Sequence, residues 1–532
     1  MKGHPNKVVI LGAGHAGSTA AASLRHQGFA GELVLLSDEL HYPYDRPPLS
    51  KSLFTDKPHS VLLPENFYAE REIDLRLGVT AATIDRTARV LELKGGERLS
   101  YDVLIIATGA RARKLSVPGT QLDGVHELRT RGDAWRLEAQ VPASARLAII
   151  GGGWIGLEVA AAAVSANHRV TVIEREDRVL ARVASRELSG FVAGVHRERG
   201  TEILTEASVA ELVADQEGAV SSVVLQDGRR VPCDQALIAV GAIPNDDLAQ
   251  AAGLDCDGGI VVDEYGATSD PQIFAVGDVT RRPVHRREGL YRLESIPSAH
   301  EQVRRAVARI LGLPAPNHEV PWFWSDQFGL KVQIAGLLDD EGDGDHSSMI
   351  RCGDPARRSV AYCHVSQGRL RSIEAVNAIP AFMTGRTMIR DAVDFDRAAI
   401  EAALGGQDSG LEDAAEAAPA TSASVTMTPV VTFLTADDGE QQVEVPLGST
   451  VMVAALDAAV PGILGNCGGG CSCGTCHVYV DESWLPRLEP PSEIEIDMLE
   501  FVAGAKANSR LCCQITMTDE LSGIVLTVAE EE

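Results

Sequence analysis

The sequence predicts an α/β fold with parallel sheets, followed by a smaller C-terminal part of a different kind. Strand-like apolar runs alternate with helical patterns from Lys7 to about Ile310, as expected when helices connect parallel strands. One such unit occurs twice, as KVVILGAGHAG from residue 7 and as RLAIIGGGWIG from residue 146. The length of 532 residues is also too great for one core, so several domains are expected.

Composition and charge exclude some classes of protein. The chain is 45% hydrophobic and 23% charged, which is ordinary for a soluble globular protein. A net charge of −27 argues against nucleic-acid binding. From residue 428 onward there are 17 acidic residues and only three basic ones. This acidic part is either a docking module for a basic partner or only a soluble surface.

Two apolar stretches imitate a signal peptide and a membrane span. They begin near residue 7 and at residue 147. Each contains a glycine fingerprint, and the second also contains Glu158. We therefore interpret both as a buried strand, a glycine turn and a helix, and expect a cytoplasmic protein without a transmembrane segment.

The first glycine fingerprint predicts a dinucleotide site. Gly12, Gly14 and Gly17 follow a predicted strand and open a predicted helix, and Asp38 ends the next strand. The glycines allow a pyrophosphate to approach the helix N-terminus, and the acid can bind a ribose hydroxyl.

The second fingerprint predicts a nicotinamide nucleotide site. Gly151, Gly153 and Gly156 repeat the spacing, and Glu174 ends the strand VTVIE. A carboxylate there favours NAD(H), because it would repel the 2′-phosphate of NADP(H). The adjacent Arg175 leaves that preference open. Two dinucleotide sites in one chain suggest FAD together with NADH.

Further motifs give the first 404 residues a family resemblance. They are YDRPPLSK (44–51), IIATGARAR (105–113), LIAVGAIPN (237–245) and TSDPQIFAVGDV (268–279). With them, residues 7 to about 404 resemble the FAD-dependent ferredoxin reductases of bacterial cytochrome P450 and Rieske oxygenase systems, the putidaredoxin-reductase type. The resemblance implies a glutathione-reductase-like flavoprotein with two dinucleotide-binding domains. The antiparallel strands and helical tail of residues 320–404 are expected to form an α+β C-terminal domain.

The resemblance also implies FAD contacts. The positions that match the family are Ala16, Asp38, Lys51, Ala81, Arg129, Asp278 and Ile296. Arg46 is a further candidate, and Trp324 either flanks the flavin or is ordinary core. Lys51 and Glu158 are the candidate catalytic residues, as an ion pair beside the flavin N5, with a purely structural role as the alternative. No side chain is needed as a proton donor for hydride transfer, since the cofactors carry that chemistry.

Cysteine positions separate this chain from the disulfide reductases. No cysteine precedes Cys233, so a redox disulfide or a peroxidase cysteine after the first nucleotide unit is excluded. Six of the ten cysteines lie in the last 70 residues. Clustered cysteines in a chain without a secretory signal point to a metal in a reducing compartment.

The stretch GNCGGGCSCGTCHV (465–478) predicts an iron–sulfur cluster. Cys467, Cys473 and Cys476 have the spacing C-x5-C-x2-C, and SRLCCQI (509–515) supplies a fourth sulfur. Iron–sulfur clusters take four thiolates, whereas zinc knuckles use two C-x2-C pairs, which this pattern fits poorly. Residues 429 to about 529 resemble the adrenodoxin and putidaredoxin type of [2Fe–2S] ferredoxin. That resemblance implies a β-grasp fold and Cys513, rather than Cys512, as the fourth ligand.

The motifs predict five segments. We expect an FAD-binding domain (1–112 and 241–320), an NADH-binding domain (113–240), a reductase C-terminal domain (321–404), a flexible linker (405–428) and a [2Fe–2S] ferredoxin domain (429–532). The linker is expected because the segment is rich in Gly, Ala, Ser, Pro and acid without periodicity.

The chain is accordingly expected to be a ferredoxin–NAD(+) reductase fused to its ferredoxin. Hydride from NADH would reduce FAD, and single electrons would pass to the cluster and on to a separate oxygenase. A cytochrome P450 is the first candidate for that oxygenase. A Rieske-type oxygenase, a redox-sensing regulator, and an NADH oxidase with a structural C-terminal domain are the alternatives. The ending TVAEEE lacks the terminal tryptophan of putidaredoxin, which leaves partner preference open.

Docking between the two halves is also expected. The acidic helix PPSEIEIDMLEFV (490–502), with Glu493, Asp497 and Glu500, would meet arginines that follow Asp278. Those arginines are Arg281, Arg282, Arg286, Arg287, Arg292, Arg304 and Arg305.

Overall fold

The computed structural model describes residues 5–55, 60–338, 347–404, 429–435, 439–465, 467–471, 473–499, 502 and 504–529. The chain divides into two compact units, residues 1–349 and 350–532. The predicted linker, 405–428, lies outside the described residues. Within the described ranges, no helix combines the length and apolar composition that a membrane span requires.

Twelve α-helices occur in the described residues. They are α1 (His15–His26), α2 (Pro48–Lys51), α3 (Glu65–Glu70), α4 (Arg131–Gln140), α5 (Trp154–Ser165), α6 (Arg186–Glu198), α7 (Asp247–Ala251), α8 (Ile296–Leu311), α9 (Ile379–Asp391), α10 (Arg397–Ala403), α11 (Val451–Asp457) and α12 (Glu493–Leu499).

The strands of the first unit form several sheets. They are β1 (Lys7–Leu11), β2 (Glu32–Leu36), β3 (Ile73–Arg76), β4 (Ala81–Asp85), β5 (Val90–Leu93), β6 (Arg98–Ser100), β7 (Val103–Ile106), β8 (Ala110–Ala112), β9 (Val125–Glu127), β10 (Arg146–Ile150), β11 (Arg169–Ile173), β12 (Glu202–Leu204), β13 (Val209–Ala214), β14 (Val220–Leu225), β15 (Arg230–Pro232), β16 (Gln235–Ile238), β17 (Ala242–Pro244), β18 (Ile260–Val261), β19 (Ile273–Ala275), β20 (Thr280–Pro283), β21 (Leu290–Tyr291), β22 (Trp322–Gln327) and β23 (Leu330–Gly336).

Fewer strands follow in the rest of the chain. They are β24 (Ser347–Asp354), β25 (Ser359–Ser366), β26 (Arg369–Val376), β27 (Val430–Leu434), β28 (Glu440–Glu444), β29 (His477–Val480), β30 (Ser509–Leu511) and β31 (Ile524–Val528).

Two parallel sheets carry the two repeated units. The first has the strand order β19-β7-β1-β2-β3 and the second has the order β12-β11-β10-β16-β9. Val9 on β1 pairs with Val34 on β2 and with Leu104 on β7, and all three are fully buried. Strands buried on both faces are apolar throughout, which is why KVVIL and RLAII imitate membrane segments. The predicted parallel α/β fold is confirmed.

The C-terminal end of β1 and of β10 positions a helix N-terminus. Helix α1 follows β1 after a short glycine turn, and α5 follows β10 in the same way. In each sheet the strand that precedes the glycine turn lies between two parallel neighbours: β1 lies between β7 and β2, and β10 lies between β16 and β11. The chain therefore continues to one side of this strand and returns later on its other side. Ligands bind at such points in open α/β sheets.

Antiparallel strands and helices complete the part that was predicted as α+β. Strands β22 and β23 form a hairpin in the first unit. In the second unit, β25 pairs with β26 along eight-residue strands, and α9 packs on β26. Gly385 allows this packing, since a Cβ there would lie 2.7 Å from Cδ1 of Ile373.

The last 100 residues form a mixed sheet of order β28-β27-β31-β29-β30. Strand β27 is antiparallel to β28 and parallel to β31. Helix α11 packs near β28, and the core includes Phe433, Met452 and Leu526. A small mixed sheet with a helix packed on it matches the predicted β-grasp arrangement.

Candidate cofactor sites

The first glycine turn is shaped by close backbone contacts. Gly12 has a φ of +105°, and a Cβ at Gly12 would lie 2.3 Å from the carbonyl oxygen of Ala107. A Cβ at Gly17 would lie 1.8 Å from the carbonyl oxygen of Gly12. Gly14 caps α1 without any side-chain hydrogen bond to the first turn. The N-terminal amides of α1 are therefore available to a phosphate.

Three predicted residues converge beside this turn. Arg46 donates to the carbonyl oxygen of Arg129 at 2.9 Å, and Nη2 of Arg129 lies 3.1 Å from Oδ2 of Asp278. Asp278 follows Gly277, where a Cβ would lie 2.9 Å from Cβ of Ala16. The fold thus brings the motifs at residues 44–51, 129 and 278 to the start of α1.

The other predicted FAD residues border the same sheet. Asp38 is exposed just beyond β2. The amide of Val79 donates to the carbonyl oxygen of Ser37 at 2.7 Å, which places the start of β4, and so Ala81, close to this end of β2. Ile296 begins α8, which packs against α1.

Sequence reasoning missed two residues that hold Arg46. Nη2 of Arg46 lies 2.6 Å from Oε1 of Glu39, and Tyr44 donates its hydroxyl to Oε2 of Glu39 at 2.6 Å. Burial raises the pKa of Tyr44 to about 12, so this hydroxyl remains a donor. Glu39 comes directly after Asp38, the acid that the sequence predicted, and this position was the signal that could have identified it.

Glu158 is a buried carboxylate at a junction of three segments. Ser50 donates to its Oε2 at 2.5 Å and Ser325 donates to its Oε1 at 2.6 Å. Burial raises the pKa of Glu158, while the charge of Lys51 and both hydrogen bonds oppose this shift. Nζ of Lys51 lies 3.8 Å from Oε1 of Glu158.

Lys51 has a closer partner than the predicted one. Its Nζ lies 3.0 Å from Oδ2 of Asp326 and 5.1 Å from the ring centre of Trp324. Trp324 is buried on β22. Lys51, Glu158 and Trp324 therefore lie together, joined by Asp326, which the sequence did not indicate.

The second glycine turn repeats the geometry of the first. Gly151 has a φ of +113°, and a Cβ there would lie 2.3 Å from the carbonyl oxygen of Ala239. A Cβ at Gly156 would lie 2.2 Å from the carbonyl oxygen of Gly151. Gly153 caps α5 without a side-chain hydrogen bond.

Glu174 faces this turn and Arg175 does not compete with it. Oε2 of Glu174 accepts a hydrogen bond from the amide of Gly152 at 2.7 Å. The exposed Arg175 pairs instead with Oε1 of Glu176 at 2.7 Å. The charge next to the glycine turn is therefore negative, as a ribose diol requires.

The cysteines of the last domain lie in two adjacent groups. The amide of Cys467 donates to Sγ of Cys473 at 3.2 Å. Contacts with Cys467 and Thr475 lower the pKa of Cys473 to about 7. Hydrogen bonds from the thiols of Cys471 and Cys476 hold the pKa of Cys513 well below its usual range. The same network raises the pKa of Cys476, because its contacts with Cys512 and Cys513 stabilise its thiol form.

This donor set fits a cluster of two irons. Cys467 contacts Cys473, and Cys476 contacts both Cys512 and Cys513, so the predicted ligands lie in two neighbouring groups. A [2Fe–2S] cluster takes four thiolates. All ten cysteines, each within the described residues, are free thiols.

The expected docking surfaces need correction. Arg282 and Arg305 are buried, and they pair with Glu301 at 2.6 Å and Glu264 at 3.0 Å, so they are structural. Arg281, Arg292 and Arg304 are also paired with acids. The side chains of Glu493 and Asp497, and residue Glu500, lie outside the described residues.

Three family models match the chain in succession. Residues 6–303 match the family described as pyridine nucleotide-disulphide oxidoreductase. Residues 322–403 match a reductase C-terminal family, and residues 434–518 match a 2Fe-2S iron-sulfur cluster binding domain.

Curated relatives match the first three quarters. The probable ferredoxin reductase CtmF of Castellaniella defragrans is 45% identical over 72% of this chain and 93% of its own length. Putidaredoxin reductase CamA of Pseudomonas putida is 37% identical over 73% of this chain and 92% of its own. The ferredoxin–NAD(+) reductase subunit of a benzene 1,2-dioxygenase system, also from Pseudomonas putida, is 38% identical over 72% of this chain and 92% of its own length.

Solved structures show the same similarity. A chain of the covalent putidaredoxin reductase–putidaredoxin complex superposes with a TM-score of 0.71 at 35% identity, covering 74% of this chain and 95% of that one. The ferredoxin reductase for the CYP199A2 system of Rhodopseudomonas palustris superposes with a TM-score of 0.70 at 37% identity, covering 73% of this chain and 96% of that one.

Proposed function

Because this chain belongs to the pyridine nucleotide-disulphide oxidoreductase family, as a ferredoxin–NAD(+) reductase with a 2Fe-2S domain on the same polypeptide, we propose that it is a self-contained electron relay. Its electrons serve a separate oxygenase, and we propose a cytochrome P450 as that acceptor. The observation that carries the proposal is the presence, in one chain, of two glycine cradles and a cysteine-rich domain that matches the 2Fe-2S cluster binding family.

Each cofactor has a set of residues in this proposal. The amides of α1 hold the pyrophosphate of FAD, with Asp38 at the ribose and Arg46, Arg129 and Asp278 nearby. The amides of α5 hold the pyrophosphate of NADH, and Glu174 binds its ribose. Cys467, Cys473, Cys476 and Cys513 hold the cluster. When bound, FAD accepts a hydride and the cluster carries one electron at a time.

The residues near Trp324 hold neighbouring segments in place and take no part in the reaction themselves. Lys51 is held by Asp326 and lies close to Glu158, whose two oxygens are fixed by Ser50 and Ser325. Because this network joins α2, α5 and β22, it fixes segments of both nucleotide-binding parts of the first unit. We propose that its role is to hold the two reacting rings in register.

The five predicted segments are retained as part of the proposal. The first parallel sheet draws its strands from residues 7–106 and 273–275, and the second draws them from residues 125–238. This supports an interrupted FAD-binding domain with the NADH-binding domain inserted. Thiolate ligands need a reducing environment, so we place the protein in the cytoplasm.

A Rieske-type oxygenase is the second candidate acceptor. The relative named for a benzene 1,2-dioxygenase system supports it, whereas the ferredoxin reductase for the CYP199A2 system supports a P450. The fused ferredoxin resembles the adrenodoxin and putidaredoxin type, which favours the P450.

Rapid mixing with purified acceptors tests this choice. The NADH-reduced protein should reduce a bacterial P450, as seen in the carbon monoxide difference spectrum, much faster than it reduces the Rieske centre of a dioxygenase. The reverse order would replace the P450 by the Rieske enzyme. Reduction of neither acceptor would favour a redox-sensing regulator.

A cysteine variant separates the relay from an NADH oxidase. In Cys473→Ala, flavin reduction by NADH should persist while cytochrome c reduction falls to background. Unchanged cytochrome c reduction would show that the C-terminal domain is only structural.

A further inference from the structure

Helix α9 has a partly buried face next to the one that packs on its own sheet. Phe382 is fully buried, and Gly385 lies against Ile373 of β26. Ile379, Met383 and Arg386 lie four and three residues apart, so they line one stripe of the helix, next to Phe382 and Gly385. Each of these three side chains is only partly buried.

The cysteine-rich loop lies against this face. A Cβ at Gly469 would lie 3.7 Å from Cγ2 of Ile379 and 3.9 Å from Sδ of Met383. Ile379 also packs against the core of the C-terminal domain. Gly469 has a φ of +90° and lies between the proposed ligands Cys467 and Cys473.

Arg386 is the charged end of the same face. It interacts electrostatically with Cys471 and Cys467, and an arginine side chain is cationic near neutral pH. Arg390, one turn further along α9, is exposed and pairs with Asp391 at 2.8 Å. Arg386 is thus the cation of α9 whose charge reaches the loop.

We propose that α9 is the docking platform for the cluster loop of the same chain, with Ile379 and Met383 as its apolar contacts and Arg386 as a cation that makes the docked cluster easier to reduce. The reduced cluster carries one more negative charge than the oxidised one, and a nearby cation stabilises that charge.

The platform has a consequence for electron transfer. The electron comes from NADH through the proposed relay, and Arg386 neither accepts nor donates it. When the loop leaves α9, the cluster loses the cation and its reduction potential falls. The same electron is then held less tightly when the loop meets an acceptor, so docking favours loading and release favours delivery.

A redox titration of the full-length holoprotein tests the cation. The cluster is titrated with dithionite and mediators, and the reduced form is measured by electron paramagnetic resonance. At the wild-type midpoint, Arg386→Gln should lower the ratio of reduced to oxidised cluster about tenfold, which is about 59 mV for one electron. Arg386→Lys should restore most of the wild-type ratio. A wild-type potential in Arg386→Gln overturns the proposal.

Arg390→Gln is the matched control, because it removes an equal charge from the same helix. It should leave the potential close to that of wild type. An equal fall in both variants would mean that only the net charge of α9 matters, and would overturn the assignment to Arg386.

Hydrogen–deuterium exchange tests the contact independently of redox chemistry. Met383→Asp should speed exchange several-fold in peptides that cover residues 465–476 and should lower the potential. Thr387→Asp, on the exposed side of α9, should do neither. Unchanged exchange in Met383→Asp, with flavin and cluster spectra intact, rules out the platform.

This inference rests on the proposed function in one respect, since it requires the cluster. Absence of a cluster signal in the wild-type protein would refute the proposed relay itself. A cluster of normal spectrum whose potential ignores Arg386 would refute only the platform.

Discussion

Two adjacent cysteines allow a sharp test of ligand identity. Cys512 and Cys513 are both buried, and both contact Cys476. The spacing of cysteines could not separate them, but the family resemblance selects Cys513.

Cys513→Ala should lose the cluster, while Cys512→Ala should retain it, because only the former removes a thiolate ligand. Iron content and the visible spectrum measure the outcome. Retention of the cluster in Cys513→Ala together with its loss in Cys512→Ala would reverse the assignment.

The choice of nicotinamide nucleotide depends on Glu174. In Glu174→Ala, kcat/KM for NADH should fall about tenfold to a hundredfold, since a charge-assisted hydrogen bond contributes about 1.5–3 kcal/mol. Discrimination against NADPH should weaken at the same time. Glu176→Gln, which changes an adjacent acid bound to Arg175, serves as the control. Equal losses in both variants would contradict the role of Glu174.

Residues with a local signature were the predictable part of these sites. Glycines at fixed spacing and a C-x5-C-x2-C pattern are visible within a dozen residues. The partners of Lys51 and Glu158 were not visible, because Asp326 and Ser325 are remote in sequence and reach them only through the fold.

At the scale of elements, an ion pair joins α12 to β30. Glu495 is fully buried, and its oxygens lie 2.8 Å and 3.0 Å from nitrogens of the buried Arg510. It also accepts the amide of Leu511 at 2.8 Å. The helix that we expected to serve docking therefore has a structural face as well.

Glu495→Gln should destabilise the C-terminal domain by about 3–5 kcal/mol, because it leaves a buried guanidinium without its counter-charge. The urea midpoint for loss of the cluster absorption measures this change. Glu489→Gln, an exposed acid next to the same arginine, should have little effect. Equal midpoints in the two variants would contradict a structural role for Glu495.

A buried histidine joins α6 to β22. Nε2 of His196 lies 2.8 Å from Oε1 of Gln327, and burial lowers the pKa of His196 below its usual 6.5. The unfolded chain therefore binds the proton more tightly, so stability is present above pH 6.5 and is lost as pH falls below it.

The melting temperature for flavin release should fall more between about pH 7.5 and pH 5.5 in wild type than in His196→Gln. In free energy of unfolding, the extra loss in wild type should be about 1 kcal/mol, since one proton contributes at most 1.36 kcal/mol per pH unit. Parallel pH profiles for the two proteins would show that His196 does not titrate in this way.

Elements were predicted better than their surfaces. The strand, glycine turn and helix of each unit follow from short apolar runs and their punctuation. Two of the seven arginines expected on the basic face, Arg282 and Arg305, were wrong, because sequence position cannot show that they are buried against Glu301 and Glu264. The platform on α9 was invisible for the same reason, since it depends on a loop about 90 residues further along the chain.

At the scale of the whole molecule, the order of the parts was readable because each carries its own motif. Residues 6–303, 322–403 and 434–518 match three families in the predicted order. Fusion on one polypeptide should give the two redox domains an effective concentration in about the millimolar range. Electron transfer between them should then not depend on collisions between separate chains.

Freeze-quench electron paramagnetic resonance after mixing the holoprotein anaerobically with NADH tests the relay most directly. A rhombic iron–sulfur signal should grow at a rate that does not change when the protein is diluted, because flavin and cluster belong to the same chain. No iron–sulfur signal, or a rate proportional to protein concentration, would contradict the account.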